Sequence, residues 1–399
     1  MEKRCLIIAY HFYPSGGVGA KRYNLFTNYL SKRVKNLNVI TIREKYSDNK
    51  DESVIHGGKI YRTGFFPRFP YNGNIIMRII NKILLRLIPV DRYSAWIIPI
   101  MLKGIKVIIK EKINTIIITG PPFSPFIAAY LLSIIFKTDL ILDYQDPWVI
   151  DKDRFEPLYT KRYNWFIEKM ILRRAKKVIF NTQETIDGYK KLITNFNIVK
   201  KSYVIPNPYL KRENIEPKYL EKNKKVIVYA GNFYGKRRLK YIFEPLKQIF
   251  NNGRLKEMIS IHVFGNIHDE DRKLIEKLNL SEIIFSHKRV EYSSLKPYLK
   301  GADILFLSQG DDHCYSVPYK LIDYLTIERP ILAVTDYGSS TYNFMSDLDS
   351  GIVADIDKPD SIRDALKELL IDEKKFSYKG IEKYSLENVA ENYYEILTS

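Results

Sequence analysis

Apolar residues recur along the chain in short runs, each closed by glycine, proline or charged residues. The first series lies at residues 5–10, 39–42, 116–119, 140–143 and 177–181. A second lies at 226–230, 260–263, 302–307, 331–334 and 351–354. Continuous runs of this length suit strands buried on both faces, the environment of a parallel sheet. Between them the spacing becomes helical, over 21–31, up to about 136 after the Gly/Pro loop 120–125, from Asn181, over 295–299, 359–372 and 382–398. Strand, glycine or proline loop, helix and strand repeat as βαβ units, so the pattern predicts an α/β fold with parallel sheets and outer helices. Residues 203–208 close the first series with Pro206 and Pro208, a stiff crossing to the second.

The run 316–335 carries the densest chemistry. Ser316 is placed to cap a helix and Pro318 to sit in its first turn, where a missing N–H costs nothing. Pro330 ends the helix, and residues 331–334 follow as a buried strand. Lys320 and Asp323 are three apart and share one helix face. Free N–H groups at the helix start, with Val317 beside them and Lys320 adding charge, suit a phosphate. Asp323, about one turn deeper, suits the hydroxyls of a ribose. The plain alternative is a capped surface helix with an exposed charge pair.

Two glycine loops follow first strands. One spans 11–20, with His11, Gly16 and Gly17; the other opens with Gly231 and Asn232 and runs into Lys236, Arg237 and Arg238. Glycine lets backbone N–H groups come close to a ligand, and clustered cations stabilise a departing diphosphate. Neither loop has the Gly-x-Gly-x-x-Gly spacing of a dinucleotide site. In parallel sheets ligands gather beyond the carboxyl ends of the strands, which directs attention to Ser124 and Asp146. Asp146 is the candidate for orienting, or taking a proton from, a sugar hydroxyl; its alternative is a turn before Pro147.

A length of 399 residues suggests two domains. Lysine and arginine number 64 against 46 acids, a net charge of +18, which asks for an anionic partner: a membrane, a phosphorylated donor or a nucleic acid. No RNP-like motif or Cys/His finger spacing supports nucleic acid. The two cysteines, Cys5 and Cys314, give no disulfide framework, in keeping with a reducing cytoplasm, and no uncharged apolar run reaches the ~18 residues of a membrane span. Over 73–89, Arg78, Lys82 and Arg86 form one basic stripe on an otherwise apolar helix, with Phe65, Phe66 and Phe69 just ahead. That pattern suits a helix lying in an anionic membrane interface, or a core helix with its charged stripe to solvent.

Pro318-x-Lys320-x-x-Asp323-Tyr324-Leu325, followed by Arg329-Pro330, resembles the donor helix of GT-B glycosyltransferases of the family 4 type, most of all bacterial cell-surface polysaccharide members. The 120–124 and 142–148 loops, the stretch around Trp96 and the 204–208 linker resemble the same group. The resemblance implies two Rossmann-like domains with parallel sheets facing a central cleft, divided as 1–205, 206–375 and a final helix at 376–399. It implies a retaining, metal-independent transfer from a nucleotide-sugar, a co-substrate rather than a cofactor, with no metal ligands. Lys320 takes the phosphate role, Asp323 the ribose role, Arg237 the second family cation, and Gly16 and Gly17 the loop near the donor phosphates and acceptor. Arg237, Lys320 and Asp146 are then the catalytic candidates. His11, Ser124 and Asp146 fall on the acceptor side, which is expected to be a lipid-linked saccharide at the inner membrane face. Two positions depart from the family: Tyr315 stands where a first acid belongs, and Asn232 stands in a Gly-Arg pair. Those departures favour a non-catalytic subunit as one rival; a sugar-nucleotide epimerase on the same fold is the other.

Overall fold

The computed structural model describes residues 2–399 except 48–49, 52–54, 65–87, 152–157, 194–197, 211, 251 and 311–313. Arg78, Lys82, Arg86 and the three preceding phenylalanines lie outside the described residues, as do Asp311 and Asp312, the acids that could substitute for the first family acid replaced by Tyr315.

The chain divides into two compact units: Met1–Pro208 with Leu386–Ser399, and Tyr209–Ser385. The first holds seven strands: β1 (Arg4–Ile8), β2 (Asn36–Ile42), β3 (Lys59–Thr63), β4 (Thr115–Gly120), β5 (Asp139–Tyr144), β6 (Lys177–Phe180) and β7 (Ser202–Val204). They form one parallel sheet in the order β3-β2-β1-β4-β5-β6-β7. The second unit holds β8 (Lys225–Ala230), β9 (Ile259–Phe264), β10 (Ile284–His287), β11 (Ile304–Gln309), β12 (Ile331–Thr335) and β13 (Gly351–Asp355). Its parallel order is β10-β9-β8-β11-β12-β13. Each order reverses once, between β1 and β4 and between β8 and β11. At such a switch point neighbouring loops leave in opposite directions and open a crevice beyond the strand ends.

Alternate residues of each strand feed two cores, as the pleat requires. In the first unit Leu6, Ile8, Ile116 and Ile118 face α2 (Ile97–Glu111), α3 (Ser124–Ile135), α4 (Leu158–Arg174) and α5 (Gln183–Leu192), after α1 (Val18–Leu30). Ile7, Val39 and Ile117 face α1 and the final helix. In the second unit one core lies under α6 (Phe243–Ile249), α7 (Asn252–Met258), α8 (Asp269–Lys277) and a later helix, Pro359–Leu370; the other lies under α9 (Tyr292–Lys300) and α10 (Tyr319–Leu325). With α11 (Ser340–Ser346) between, Pro359–Leu370 is α12 and Leu386–Thr398 is α13.

The central strands stand where the apolar runs put them. The edge strands β3 and β10 were not marked by such runs: Lys59-Ile-Tyr-Arg-Thr63 is mostly polar and only Thr63 is buried, as suits a half-solvated edge strand. The expected helix at 382–398 is two pieces, a short turn Ile381–Tyr384 and then α13, broken at Ser385.

Candidate active site

The second unit gathers the candidate donor residues around its switch point. The chain leaves β8 at Gly231, whose φ of +122° disfavours any side chain. It leaves β9 at Gly265, φ +146°, where a Cβ would stand 2.1 Å from the Gly231 carbonyl oxygen. The two loops therefore touch backbone to backbone. Gly231 N–H donates to the Phe264 carbonyl at 2.9 Å, and Asn266 N–H to Asn232 Oδ1 at 3.1 Å. Asn232, the departure from the family pattern, thus ties one loop to the other.

Lys320 comes from the far side of the switch point, on α10. Its Nζ lies 3.8 Å from the centroid of the Tyr229 ring, and Tyr229 stacks on Phe233 at 3.8 Å. A methyl group on Gly231 would stand 2.9 Å from that Nζ. The glycine is thus needed twice, for its backbone angle and for the room it leaves the ammonium. Lys320 is half-buried by surface, but its charged end is largely removed from water. Burial, and then the positive Arg237, push its pKa well below the ordinary lysine range. Arg237 lies 4.7 Å over the Tyr234 ring, with its Nε buried and without a hydrogen-bond partner. Among the described residues neither Lys320 nor Arg237 has an ion-pair partner. Arg238 differs: its Nε donates to Asp271 Oδ1 at 2.9 Å, and Nη2 pairs with Glu270 at 2.7 Å. Lys236 is exposed. Of the three adjacent cations, then, Arg238 anchors the loop and Arg237 is held without a carboxylate.

α10 starts two residues later than the sequence suggests. Pro318 is its N-cap, in extended backbone, with no side-chain cap. Ser316 does not cap; it is two residues too far upstream, and its carbonyl accepts from Gln309 Nε2 at 2.9 Å and from Thr341 Oγ1 at 3.3 Å. The proline sets the extended cap backbone itself. Val317 is half-buried against the core under α10. Asp323 follows Lys320 by three residues and is half-buried. Burial first, and the nearby Asp323 carboxylate second, raise the pKa of Tyr292. Tyr324 O–H accepts from Ala230 N–H at 2.9 Å, which fixes α10 against the end of β8 just before Gly231. In the sequence Tyr324 stands only as a member of the donor-helix motif; its hydroxyl role appears with the fold.

In the first unit, the loop after β1 carries His11, Gly16 and Gly17. Asn24, fully buried on α1, holds this loop from both sides of its amide: Tyr13 N–H donates to its Oδ1 at 2.9 Å, and its Nδ2 donates to the Ser15 carbonyl at 3.1 Å. Gly17 is the N-cap of α1, Gly16 is exposed, and His11 packs edge-on against Tyr10. Asp146 is exposed beyond β5. Its loop is anchored from below by Glu168, which is fully buried and accepts from Val149 N–H at 3.2 Å and from Tyr189 O–H. Ser124 has a different place from the one expected. It is fully buried, and its hydroxyl donates to Asp91 Oδ1 at 2.7 Å. The same carboxylate accepts from the N–H groups of Phe123 and Ser124 at 2.8 and 2.9 Å, so Asp91 caps α3 and Ser124 completes the cap. With no exposed surface, Ser124 cannot meet an acceptor.

Residues 211–384, nearly the whole second unit, match the family model described as "Glycosyl transferases group 1". No curated protein matches the chain by sequence. Among solved structures, the apo form of the lipopolysaccharide outer core galactosyltransferase WaaB matches with a TM-score of 0.67 at 12% identity, covering 99% of each chain. Sucrose-phosphate synthase from Thermosynechococcus elongatus matches with a TM-score of 0.70 at 13% identity, covering 100% of this chain and 98% of its own. Anabaena Alr3699/HepE, in complex with UDP and glucose, matches with a TM-score of 0.67 at 11% identity, covering 100% of both. At these identities the likeness is one of fold, and the fold is GT-B. The group 1 domain at 211–384, on a GT-B fold that spans the chain, makes this protein a glycosyltransferase.

Proposed function

We propose that the protein moves a sugar from a nucleotide-sugar, with UDP as the first nucleotide to try, onto a saccharide acceptor of a cell-surface polysaccharide. Retention of configuration, metal independence and a lipid-linked acceptor belong to the same reading. One observation carries it. Lys320 and Arg237 converge at the β8–β11 switch point, and among the described residues neither has a carboxylate partner, against a glycine turn that keeps side chains away. Two cations held in that way suit the diphosphate of a donor and the charge that grows on it as the glycosidic bond breaks. Asp323, one turn along the same helix, takes the ribose hydroxyls. Asp146 takes the acceptor hydroxyl. HepE, a structural neighbour, was solved with UDP and glucose, and WaaB is named for lipopolysaccharide synthesis, which favours UDP and a surface glycan.

The test is a thermal-shift panel of UDP-, GDP-, ADP-, CMP- and dTDP-sugars, on the wild type and on Asp323→Ala. A ligand bound only by the folded state raises the melting temperature. Stabilisation by one nucleotide class is expected, with affinity roughly 10- to 100-fold weaker in the variant, the worth of hydrogen bonds to a carboxylate. A shift that survives Asp323→Ala unchanged removes the ribose role. No shift with any donor removes the donor reading.

A further inference from the structure

We infer that the outer face of α2, α3 and α4 is a docking surface for an anionic lipid bilayer. On α2 the inner side is taken by Ile97, Ile100, Gly104, Val107 and Ile108. Its outer side still carries large apolar residues: Ile98 is 46% exposed, Leu102 63% and Ile109 64%. These fall at i, i+4 and i+11, one stripe along the helix. Lys106 and Lys110 run beside that stripe, both exposed. The neighbouring α3 contains no charged residue from Ser124 to Ile135, and its outer positions include Ile134, 46% exposed, and Ile135, 58% exposed. The two helices pack close through Gly104, where a Cβ would stand 2.5 Å from Leu132 Cδ1, so the two outer sides adjoin. α4 continues the face with Phe166, 62% exposed.

The charge on this face has one sign. The only acids on the three helices are Glu111 and Glu168. Glu111 is bound to Lys59 and Tyr61, and Glu168 is fully buried. Lys112, Lys137 and Arg162 add exposed cations. Exposed isoleucine and leucine beside long-stemmed lysines is the composition of an interfacial helix, whose apolar side enters the headgroup boundary while its ammonium groups reach lipid phosphates. A second copy fits poorly: a two-fold pairing would set lysine rows against themselves. Protein-binding surfaces draw their energy from Trp, Tyr and Arg anchors, which the α2 and α3 stripes lack. Among the described residues no helix is long and apolar enough to cross a membrane. A peripheral face would bring a lipid-linked acceptor to the first unit, and in that respect the inference builds on the proposed function. The evidence for it is separate, so the two fail separately.

The experiment is sedimentation of the full chain with phosphatidylcholine vesicles, with and without phosphatidylglycerol. Three variants accompany the wild type: Lys106→Gln/Lys110→Gln; Leu102→Ser/Ile109→Ser/Ile134→Ser; and Arg78→Gln/Lys82→Gln/Arg86→Gln. The wild type is expected to bind only the anionic vesicles, less at high salt. The two-lysine variant should bind roughly 30-fold more weakly, from about fivefold per cation near an anionic surface. The apolar variant should lose binding at least as far. Both should keep their melting temperature and their donor-induced shift, which separates loss of docking from loss of fold or of the donor site. Four results would overturn the inference: no preference for anionic vesicles; wild-type binding in both face variants; binding lost only in the Arg78/Lys82/Arg86 variant; or a solution dimer that the apolar variant dissolves.

Discussion

Arg22 and Lys320 are both cations on a helix beside a switch point, one in each unit, and their surroundings are opposite. Arg22 is fully buried, and both of its Nη atoms are answered. Its Nη2 meets Asp143 Oδ2 at 3.3 Å, and Nη1 donates to the Pro206 carbonyl at 2.9 Å and to Asn207 Oδ1 at 3.3 Å. Tyr23 O–H donates to the same Asp143 oxygen at 2.9 Å, and lies 2.9 Å from the Tyr393 hydroxyl of α13. Arg22, Tyr23 and Asp143 together thus join α1, β5, the end of the first unit's chain and the returning C-terminal helix. Lys320 has an aromatic ring and a glycine instead, with no acid paired to it among the described residues. A buried cation with its acid supplied serves the fold. A desolvated cation without one destabilises the free protein and is useful only when an anion arrives.

The largest effect should come from breaking the answered site. Asp143→Ala leaves the Arg22 guanidinium buried and uncompensated, at a cost of about 3–5 kcal/mol, read as a fall in the urea midpoint with an unchanged slope. Replacing both partners, as Arg22→Met/Asp143→Leu, should recover most of that loss, because a buried ion pair is worth little against apolar residues of similar volume. If the double variant is no better than Asp143→Ala, the network acts through geometry rather than charge.

A smaller effect sharpens the same contrast within the second unit. His262 and His287 face each other at 2.9 Å between neighbouring strands, with His262 stacked on Phe285. Burial, and then the neighbouring His287, lower the His262 pKa to about 4 from the ordinary 6.5. The folded state therefore holds its proton less tightly than the unfolded chain. The stability tied to this ring is fully present above about pH 6.5 and is lost as the pH falls toward 4, up to about 3 kcal/mol. His262→Phe should flatten the melting temperature across that window. A curve as steep as the wild type would assign the acid sensitivity elsewhere.

What was legible in the sequence follows range of interaction. Central strands declared themselves by continuous apolar runs, and Gly231, Lys320 and Asp323 by short-range motif. The Arg22–Asp143 pair spans 121 residues and leaves no local pattern. Asp91 reads as a loop acid until α3 is placed above it, and with it goes the expectation that Ser124 meets an acceptor. Ser316 was misread as a cap because a serine before an apolar periodic run resembles one, while Pro318 had already set the extended backbone. α2 and α4 also escaped notice. The outer stripe of α2 holds Ile98, Leu102 and Ile109 where a solvated helix would be polar, while α4 exposes Tyr159, Lys161, Arg162 and Phe166 in a mixed pattern.

The most direct measurement is the melting temperature of Lys320→Met, free and with UDP. Burial depresses the lysine pKa in the folded state, so its contribution is lost as pH falls below the ordinary lysine value, and at neutral pH the ammonium weighs against folding. The variant should therefore melt at or above the wild type when free, and show no shift with UDP. A Lys320→Met protein that UDP stabilises as much as the wild type, or that melts well below it when free, would contradict the assignment of Lys320 as the donor-phosphate cation.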